Sequence, residues 1–155
     1  MPTILSGNPT GTDELSQDSA FKVGNPQIFN TPAPASYTGS AAITLLAADI
    51  LGGIIVIAGV AGTGAVTATT PTAALLAAAL RAISTRGVIV GDTVWCLIIN
   101  GNNSANSVTM AAGTGATFDA NQSAASRVIA ANSSKEIAIR FTNGAPGSEA
   151  YVIYS

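Results

Sequence analysis

The amino-acid sequence predicts a mainly β protein: a β-sandwich or jelly-roll-like barrel with one short helix and an extended N-terminal arm. Short apolar segments recur through residues 41–155, and turns rich in Gly and Asn separate them, which is typical of an all-β domain. A single segment has helical periodicity. Residues 1–40 instead hold five of the seven prolines. We therefore expect an extended arm at 1–40 and a β-sandwich body at 41–155.

The arm has the composition of a segment that lies on another surface. Its prolines favour extended backbone, and three acids against Lys22 give it the whole net charge of −2. Burial of one large apolar side chain contributes roughly 1.5–3 kcal/mol, against roughly 1–2 kcal/mol for ordering each backbone residue. The candidate partner-binding anchors are eight apolar residues: Ile4, Leu5, Leu15, Phe21, Val23, Ile28, Phe29 and Tyr37. A disordered tail, or a tail folded back on its own body, remains the alternative.

The first part of the body predicts three strands. The run Ile54–Ile57 is apolar throughout, as expected for a strand that is buried on both faces. Gly and Asp residues between 49 and 53 predict a short turn before it. The predicted strands are Ile43–Ala47, Gly53–Ala58 and Ala65–Thr69.

The next segment predicts the one α-helix. Thr70 suits its N-cap, and Pro71 suits its first helical position. The apolar residues that share one face are Ala73, Leu76, Ala77, Leu80 and Ile83. We expect this face to pack on a sheet, because no basic polar face of the kind found on membrane-surface helices accompanies it.

The C-terminal half predicts further strands. Thr93–Ile99 is almost continuously apolar and is expected to be a central strand. Lys135–Thr142 alternates between apolar and other residues, which is the period of a strand with one buried face. The residues expected to face inward there are Ile137, Ile139 and Phe141. The remaining apolar segments are Val88–Val90, Ser107–Ala111, Arg127–Ala131 and Ala150–Tyr154.

Two Asn-Gly pairs predict turns in this half. Asn100-Gly101 leads to Ser107-Val108, and Asn143-Gly144 leads to Ala150-Tyr151. Asn-Gly between apolar runs is a strong signal for a hairpin. The sequence therefore predicts two similar hairpins within one sandwich.

The sequence lacks the usual chemistry of an active site. It contains no His, which removes the commonest general base and metal ligand. The single cysteine, Cys96, is expected to be a buried core residue, as is the only tryptophan, Trp95. The acidic residues are mostly isolated, and the Gly-rich segment 59–64 lacks the residues of a phosphate-binding loop. We therefore expect no catalytic residues, no cofactor and no metal ion.

The low charge of the chain excludes several classes of partner. Charged residues make up 9% of it, and six Lys and Arg face eight Asp and Glu, which cannot form the basic surface that nucleic acid requires. The apolar segment 43–66 is interrupted by Asp49 and five glycines, so a membrane-spanning helix is not expected. The N-terminus shows no signal peptide, and assembly in a cytoplasm is predicted.

Several fold-defining segments lie between residues 65 and 155. They are Pro71-Thr72-Ala73-Ala74, Val90-Gly91-Asp92-Thr93, Ile98-Ile99-Asn100, Ser107-Val108-Thr109-Met110, Gly113-Thr114-Gly115, Arg140-Phe141-Thr142-Asn143 and Glu149-Ala150-Tyr151-Val152-Ile153-Tyr154. With these segments the body resembles the head-decoration, or cement, proteins that tailed phages and similar large viruses carry on their capsid shells. The segments belong to the fold, so the resemblance supplies no active-site residues.

The resemblance implies a virion structural protein, not an enzyme. It implies homotrimers clamped over capsomer junctions on the capsid surface of a virus that is assembled in its host's cytoplasm. The partner would be the major capsid protein of the same virus, and the arm would hold the shell or a neighbouring subunit. Two alternatives remain open: a capsid shell subunit, and a receptor- or glycan-binding head of a fibre or spike. The glycan-binding head would need an exposed aromatic platform.

Overall fold

The computed structural model describes residues 34–38, 42–58, 65–102 and 106–155. All described residues belong to one compact unit, residues 31–155. That part is mainly β, with ten strands in two sheets. The predicted fold class is therefore confirmed at this level.

The strands and helices follow one another along the chain in a mixed order. They are β1 Ala35–Tyr37, β2 Ala42–Thr44, α1 Ala47–Gly52, β3 Ile54–Ile57, β4 Val66–Thr69, α2 Ala73–Ile83, β5 Thr93–Asn100, β6 Val108–Ala111, β7 Ala116–Phe118, a 3-10 helix Ala124–Arg127, β8 Val128–Ile129, β9 Ser133–Asn143 and β10 Ala150–Tyr154. Sheet 1 has the strand order β1-β3-β5-β9-β10-β7, and sheet 2 has the order β2-β4-β6-β8.

Successive strands alternate between the two sheets from β1 to β9. As a result β1, β3 and β5 are parallel neighbours in sheet 1, and β2, β4 and β6 are parallel neighbours in sheet 2. Parallel neighbours need a long crossover connection, and here each crossover contains a strand of the other sheet. The later strands form antiparallel pairs, β5 with β9, β9 with β10, and β6 with β8, and the edge strand β7 is parallel to β10.

One buried apolar cluster contains residues of both sheets. The inward side of β9 consists of Ile137, Ile139 and Phe141, all fully buried, as the alternating pattern predicted. Phe141 meets Tyr151 of β10 edge-to-face, with ring centroids 5.8 Å apart. Sheet 2 contributes Val66, Ala68, Val108, Met110 and Ile129 to the same cluster.

A second helix, α1, lies where the sequence predicted a strand and a turn. The strand expected at Ile43–Ala47 ends as β2 at Thr44, and the chain then enters α1. Gly53 ends this helix with φ 83° and donates its N–H to the carbonyl of Ile50, a left-handed conformation that favours Gly. Ile50 is fully buried, so packing of one side chain stabilises a helix that is too short to show a period.

Helix α2 starts later than predicted. Thr72, and not Thr70, is the N-cap, and its hydroxyl accepts from Leu75 N at 3.2 Å. Thr70 continues the pairing of sheet 2, because its N–H donates to the carbonyl of Ala111 at 2.9 Å. The predicted inward face is buried at Ala73, Leu76 and Ala77 and partly buried at Leu80. Ile83 is 65% exposed, contrary to prediction, because it occupies the last helical position.

Only one of the two predicted hairpins forms. Strands β9 and β10 pair antiparallel across the turn that Asn143 opens. At Asn100 the chain instead leaves sheet 1 and enters sheet 2. The fully buried amide of Asn100 donates to the carbonyls of Asn106 at 2.9 Å and Ile129 at 3.0 Å. These bonds link the end of β5 in sheet 1 to Ile129 of β8 in sheet 2, so the Asn side chain stabilises the crossing between the sheets.

Candidate functional site

Of the eight predicted anchors, the structure describes Tyr37. The other seven lie outside the described residues: Ile4, Leu5, Leu15, Phe21, Val23, Ile28 and Phe29. Tyr37 belongs to β1, where it is partly buried against the core. Its hydroxyl donates to the Asp49 carboxylate and accepts from Leu46 N at 2.9 Å. Burial, and then the bond to Asp49, raises the pKa of Tyr37 to about 12. Within the chain, the Tyr37 hydroxyl thus connects β1 to α1. The contact of Tyr37 with a partner stays a prediction.

Cys96 is buried on the inward side of β5, as predicted. Burial, with a smaller effect of the Asp49 charge, raises the pKa of its thiol to about 12. The thiol is therefore neutral at pH 7 and lacks the thiolate character of a reactive cysteine. Within the described ranges, no three Cys, Asp or Glu side chains lie close enough together to hold a metal ion.

Trp95 is 46% exposed, so the prediction that it is buried is wrong. The reason is the period of the strand: Val94, Cys96 and Ile98 face the core. Trp95 therefore lies on the opposite side of sheet 1. It is directly beside Ala138 of β9, and Tyr154 of β10 lies on the other side of Ala138.

The side of sheet 1 that faces away from the core is here called outer face 1. Its apolar surface extends beyond the row of Trp95, Ala138 and Tyr154. Ile54 is in register with Leu97, and Val56 is in register with Ile99. All four are partly buried at most, although they are large apolar residues. The charged residues of the face lie on β9, where Glu136 is beside Leu97 and Arg140 is beside Thr93.

The corresponding side of sheet 2, here called outer face 2, is different. Its central residues are Thr67 of β4 and Thr109 of β6, which are in register. Ala42 and Thr44 of the edge strand β2 extend the same small and weakly polar surface. Among the described residues, the one large apolar residue on this side is Val128 of β8, which is beside Thr109 and 37% exposed. Sheet 2 otherwise follows the usual rule of apolar residues inside and polar ones outside.

An apolar groove with a volume of about 420 Å³ lies at the end of sheet 2. Leu46, which precedes α1, and Leu75 of α2 line it and are 61% and 60% exposed. The turn after β6 lines the opposite side, where an added Cβ on Gly113 would lie 2.7 Å from the carbonyl oxygen of Pro71. Thr70 fixes this corner, because its hydroxyl accepts from Gly113 N at 3.1 Å.

The ion pairs of the described residues hold turns in place. Arg81 of α2 donates to Glu149 Oε1 and to the carbonyl of Gly144, both at 2.8 Å. It thereby fixes the β9–β10 turn against the helix and lowers the pKa of the Glu149 carboxyl. Arg86 pairs with Asp92 at 2.6 Å within the loop before β5. These carboxylates have structural partners on the chain itself.

Comparison with protein-family models, with curated proteins and with solved structures gave no match. Among the described residues, neither helix has the length and apolarity that a bilayer crossing requires. The function is therefore argued from the surfaces described above.

Proposed function

We propose that this chain is a virion structural protein, a capsid decoration (cement) protein that binds the assembled shell as a homotrimer. The observation that carries the proposal is a set of large apolar side chains held exposed on a body with little charge. They are Leu46 and Leu75 at the groove and Ile89 and Val90 in the loop before β5. Clustered apolar exposure of this kind marks contact surfaces.

The proposed mechanism is stabilisation of the shell by mass action. A protein that binds the assembled shell, and not its free subunits, shifts the equilibrium toward assembly. The arm, with Phe21 and Phe29 among its anchors, adds a second attachment to the same complex. Once the body is bound, the arm binds at a high effective concentration, which raises the overall affinity.

We also propose that the two sheets stack as a β-sandwich. The support is the single buried cluster to which both sheets contribute inward-facing residues. A jelly roll is built from antiparallel Greek keys, whereas three strands of each sheet here are parallel neighbours. The pairing therefore favours a wound sandwich over a jelly-roll-like barrel.

A second candidate function, a glycan- or receptor-binding head of a fibre or spike, is favoured by one specific observation. Trp95 and Tyr154 are 46% and 36% exposed on the same side of sheet 1, separated by the strand that carries Ala138. Two strand spacings place them roughly 10 Å apart. An aromatic platform of this kind can contact the apolar faces of sugar rings.

Co-sedimentation with empty shells of the major capsid protein tests the first proposal. We expect the full chain to pellet with assembled shells, to leave unassembled capsid protein in solution unbound, and to raise the melting temperature of the shell. The double variant Phe21→Ser/Phe29→Ser should bind more weakly, because it loses two arm anchors. Co-sedimentation and the melting temperature of the shell, measured with Leu46→Asp, test whether the groove contacts the shell.

Thr67→Asp is the matched control, because it introduces the same charge on outer face 2. It should bind shells as the unchanged chain does. Equal binding to assembled and unassembled capsid protein, or no binding to either, would contradict the proposal. Retention on a glycan column that Trp95→Ala abolishes would support the second candidate instead.

A further inference from the structure

We infer that outer face 1 binds a second copy of this chain, in a two-fold arrangement in which the two β9 strands run antiparallel. This inference does not depend on the proposed binding to a capsid shell. It rests on the apolar residues of outer face 1 and on the placement of its two charges.

The apolar part of outer face 1 covers several adjacent strands. Trp95, Ala138 and Tyr154 form one row across β5, β9 and β10. Ala138 is only 7% exposed although it is on the outward side, so Trp95 and Tyr154 supply the exposed apolar surface of this row. Ile54 and Leu97 form part of the next row. Apolar surface that extends over several strands is unusual on a solvent-facing sheet and marks an interaction site.

The two charges of β9 lie on either side of this row. Glu136 and Arg140 flank Ala138 at two residues on each side, on the same face of the strand. Four residues of strand separate them by roughly 13 Å, too far for an ion pair within one chain. Neither belongs to the ion pairs that the described residues form, Arg81–Glu149 and Arg86–Asp92.

These charges decide between two ways of stacking the face on a copy of itself. If the β9 strands run parallel across the contact, Glu136 lies opposite Glu136, and the like charges repel. If the strands run antiparallel about a two-fold axis at Ala138, Glu136 of each copy lies opposite Arg140 of the other. Stacked sheets are roughly 10 Å apart, a gap that the long Glu and Arg side chains reach into from both sides. The face is therefore complementary to itself, which is the requirement of a two-fold contact.

The same arrangement stacks the row of Trp95, Ala138 and Tyr154 on its own copy, whereas Leu97 lies opposite Thr93 of the other copy. Rotation about an axis that runs across the strands leaves each strand opposite its own copy, so Trp95 faces Trp95 and Tyr154 faces Tyr154. Aromatic residues at the centre of a contact, with charges at its margin, are the usual anatomy of a protein interface. A glycan or another protein remains an outcome of the test, but neither explains the opposite charges on both sides of Ala138.

Charge reversal with mass measurement tests this inference on the full chain. Light scattering over a range of concentrations gives the mass of the unchanged chain and of Glu136→Arg, Arg140→Glu and the double variant. We expect each single reversal to weaken the association more than tenfold, because it brings like charges together at two symmetric positions. The double variant exchanges the charges and should restore the original mass.

Each single charge reversal should halve the mass measured by light scattering. If the proposed homotrimer forms through other contacts, the mass falls from six chains to three, and otherwise from two to one. Thr67→Glu, which places a charge on outer face 2, is the control and should leave the mass unchanged. If Arg140→Glu disturbs folding, as circular dichroism would show, Arg140→Gln replaces it and should weaken the association less.

A mass that single reversals do not change would overturn the inference. So would a double variant that remains dissociated, because the effect would then not come from paired charges. A chain that stays monomeric or trimeric at all concentrations, and binds a glycan through Trp95, would assign outer face 1 to the second candidate function. Each of these results leaves the shell-binding test of the proposed function unaffected, so the two can fail separately.

Discussion

Outer face 1 and outer face 2 belong to sheets whose inner sides have the same character. Ile139 on the inner side of sheet 1 and Met110 on that of sheet 2 are both buried in one cluster. The outer sides differ, since Trp95 is at the centre of one and Thr67 is at the centre of the other. Folding thus accounts for both inner sides and for the Thr-rich surface of sheet 2. In our proposal, binding to a second copy accounts for the apolar residues of outer face 1.

The difference also explains an ambiguity in the sequence. A continuous apolar strand such as β5 indicates that both sides of a sheet are covered. Among the described residues, the side with Val94, Cys96 and Ile98 is buried, whereas Trp95 is exposed on the other side and Leu97 and Ile99 are partly buried there. In our proposal another molecule covers the second side of β5. The continuous apolar pattern of this strand then reflects the core on one side and an interface on the other.

The largest expected effect is the difference in stability loss between substitutions on the inner side and on the outer side of sheet 1. Ile139→Ala removes a fully buried side chain and should lower the free energy of unfolding by about 2–5 kcal/mol. Leu97→Ala, on outer face 1, should cost less than about 1.5 kcal/mol in dilute solution, because its partly exposed side chain loses fewer contacts. Unfolding in denaturant at low protein concentration measures both. Equal losses would contradict the assignment of the two sides.

The next effect concerns the point where the chain passes from one sheet to the other. Asn100→Ala leaves the carbonyls of Asn106 and Ile129 without the bonds they accept, and should cost about 1–3 kcal/mol because these groups are buried. Asn143→Ala is the matched control from the other Asn-Gly pair. Its Oδ1 accepts only from the exposed Ala145 N, so it should cost less than about 1 kcal/mol. A larger loss at Asn143 would contradict this role of Asn100.

These two Asn residues show how far the sequence could predict the fold. The alternation in Lys135–Thr142, the central strand at Thr93–Ile99 and the buried Cys96 follow from local patterns, and the structure confirms them. Asn100-Gly101 and Asn143-Gly144 have the same local pattern but different outcomes, because the partners of Asn100 are distant in sequence. Local residues do not determine which sheet the next strand joins.

The candidate site was predictable only in part, for similar reasons. The prediction for Trp95 was wrong because its apolar neighbours indicate a buried strand but do not indicate which side of the strand is buried within the chain. The groove at Leu46 and Leu75 was missed because it arises where α1, α2 and the β6–β7 turn meet. The shortness of α1, six residues, hides its period. The signal in the sequence for outer face 1 was that both alternating sets of residues in β5 are apolar, Trp95, Leu97 and Ile99 as well as Val94, Cys96 and Ile98.

The third prediction concerns a substitution that gives outer face 1 the polar character of outer face 2. Trp95→Thr gives outer face 1 the type of residue that outer face 2 carries, and should weaken self-association more than tenfold, about 1.4 kcal/mol. Its free energy of unfolding in dilute solution should fall by about 2 kcal/mol or less, because the side chain is only half buried. Thr67→Ser is the control and should change neither. Sedimentation velocity measures the association, and loss of folding without loss of association would contradict the account.

The smallest effect lies at the β9–β10 turn, away from both outer faces. The bond from Arg81 lowers the pKa of Glu149 in the folded chain below the unfolded value of about 4.3. The resulting stability is present above that pH and is lost as the pH falls through the folded pKa. Glu149→Gln should therefore flatten the acid side of the stability profile, measured between about pH 6 and pH 3. Arg81→Met should have the same effect, and the double variant should add little. Independent, additive effects would contradict the pairing.

Fluorescence of the only tryptophan reports whether outer face 1 is a contact surface between copies. Trp95 lies at the centre of that face, so acrylamide quenching of the full chain reports its exposure. The account predicts weak quenching at high protein concentration that rises on dilution toward the level of Arg140→Glu. Strong quenching that is the same at every concentration, and the same in Arg140→Glu, would contradict it.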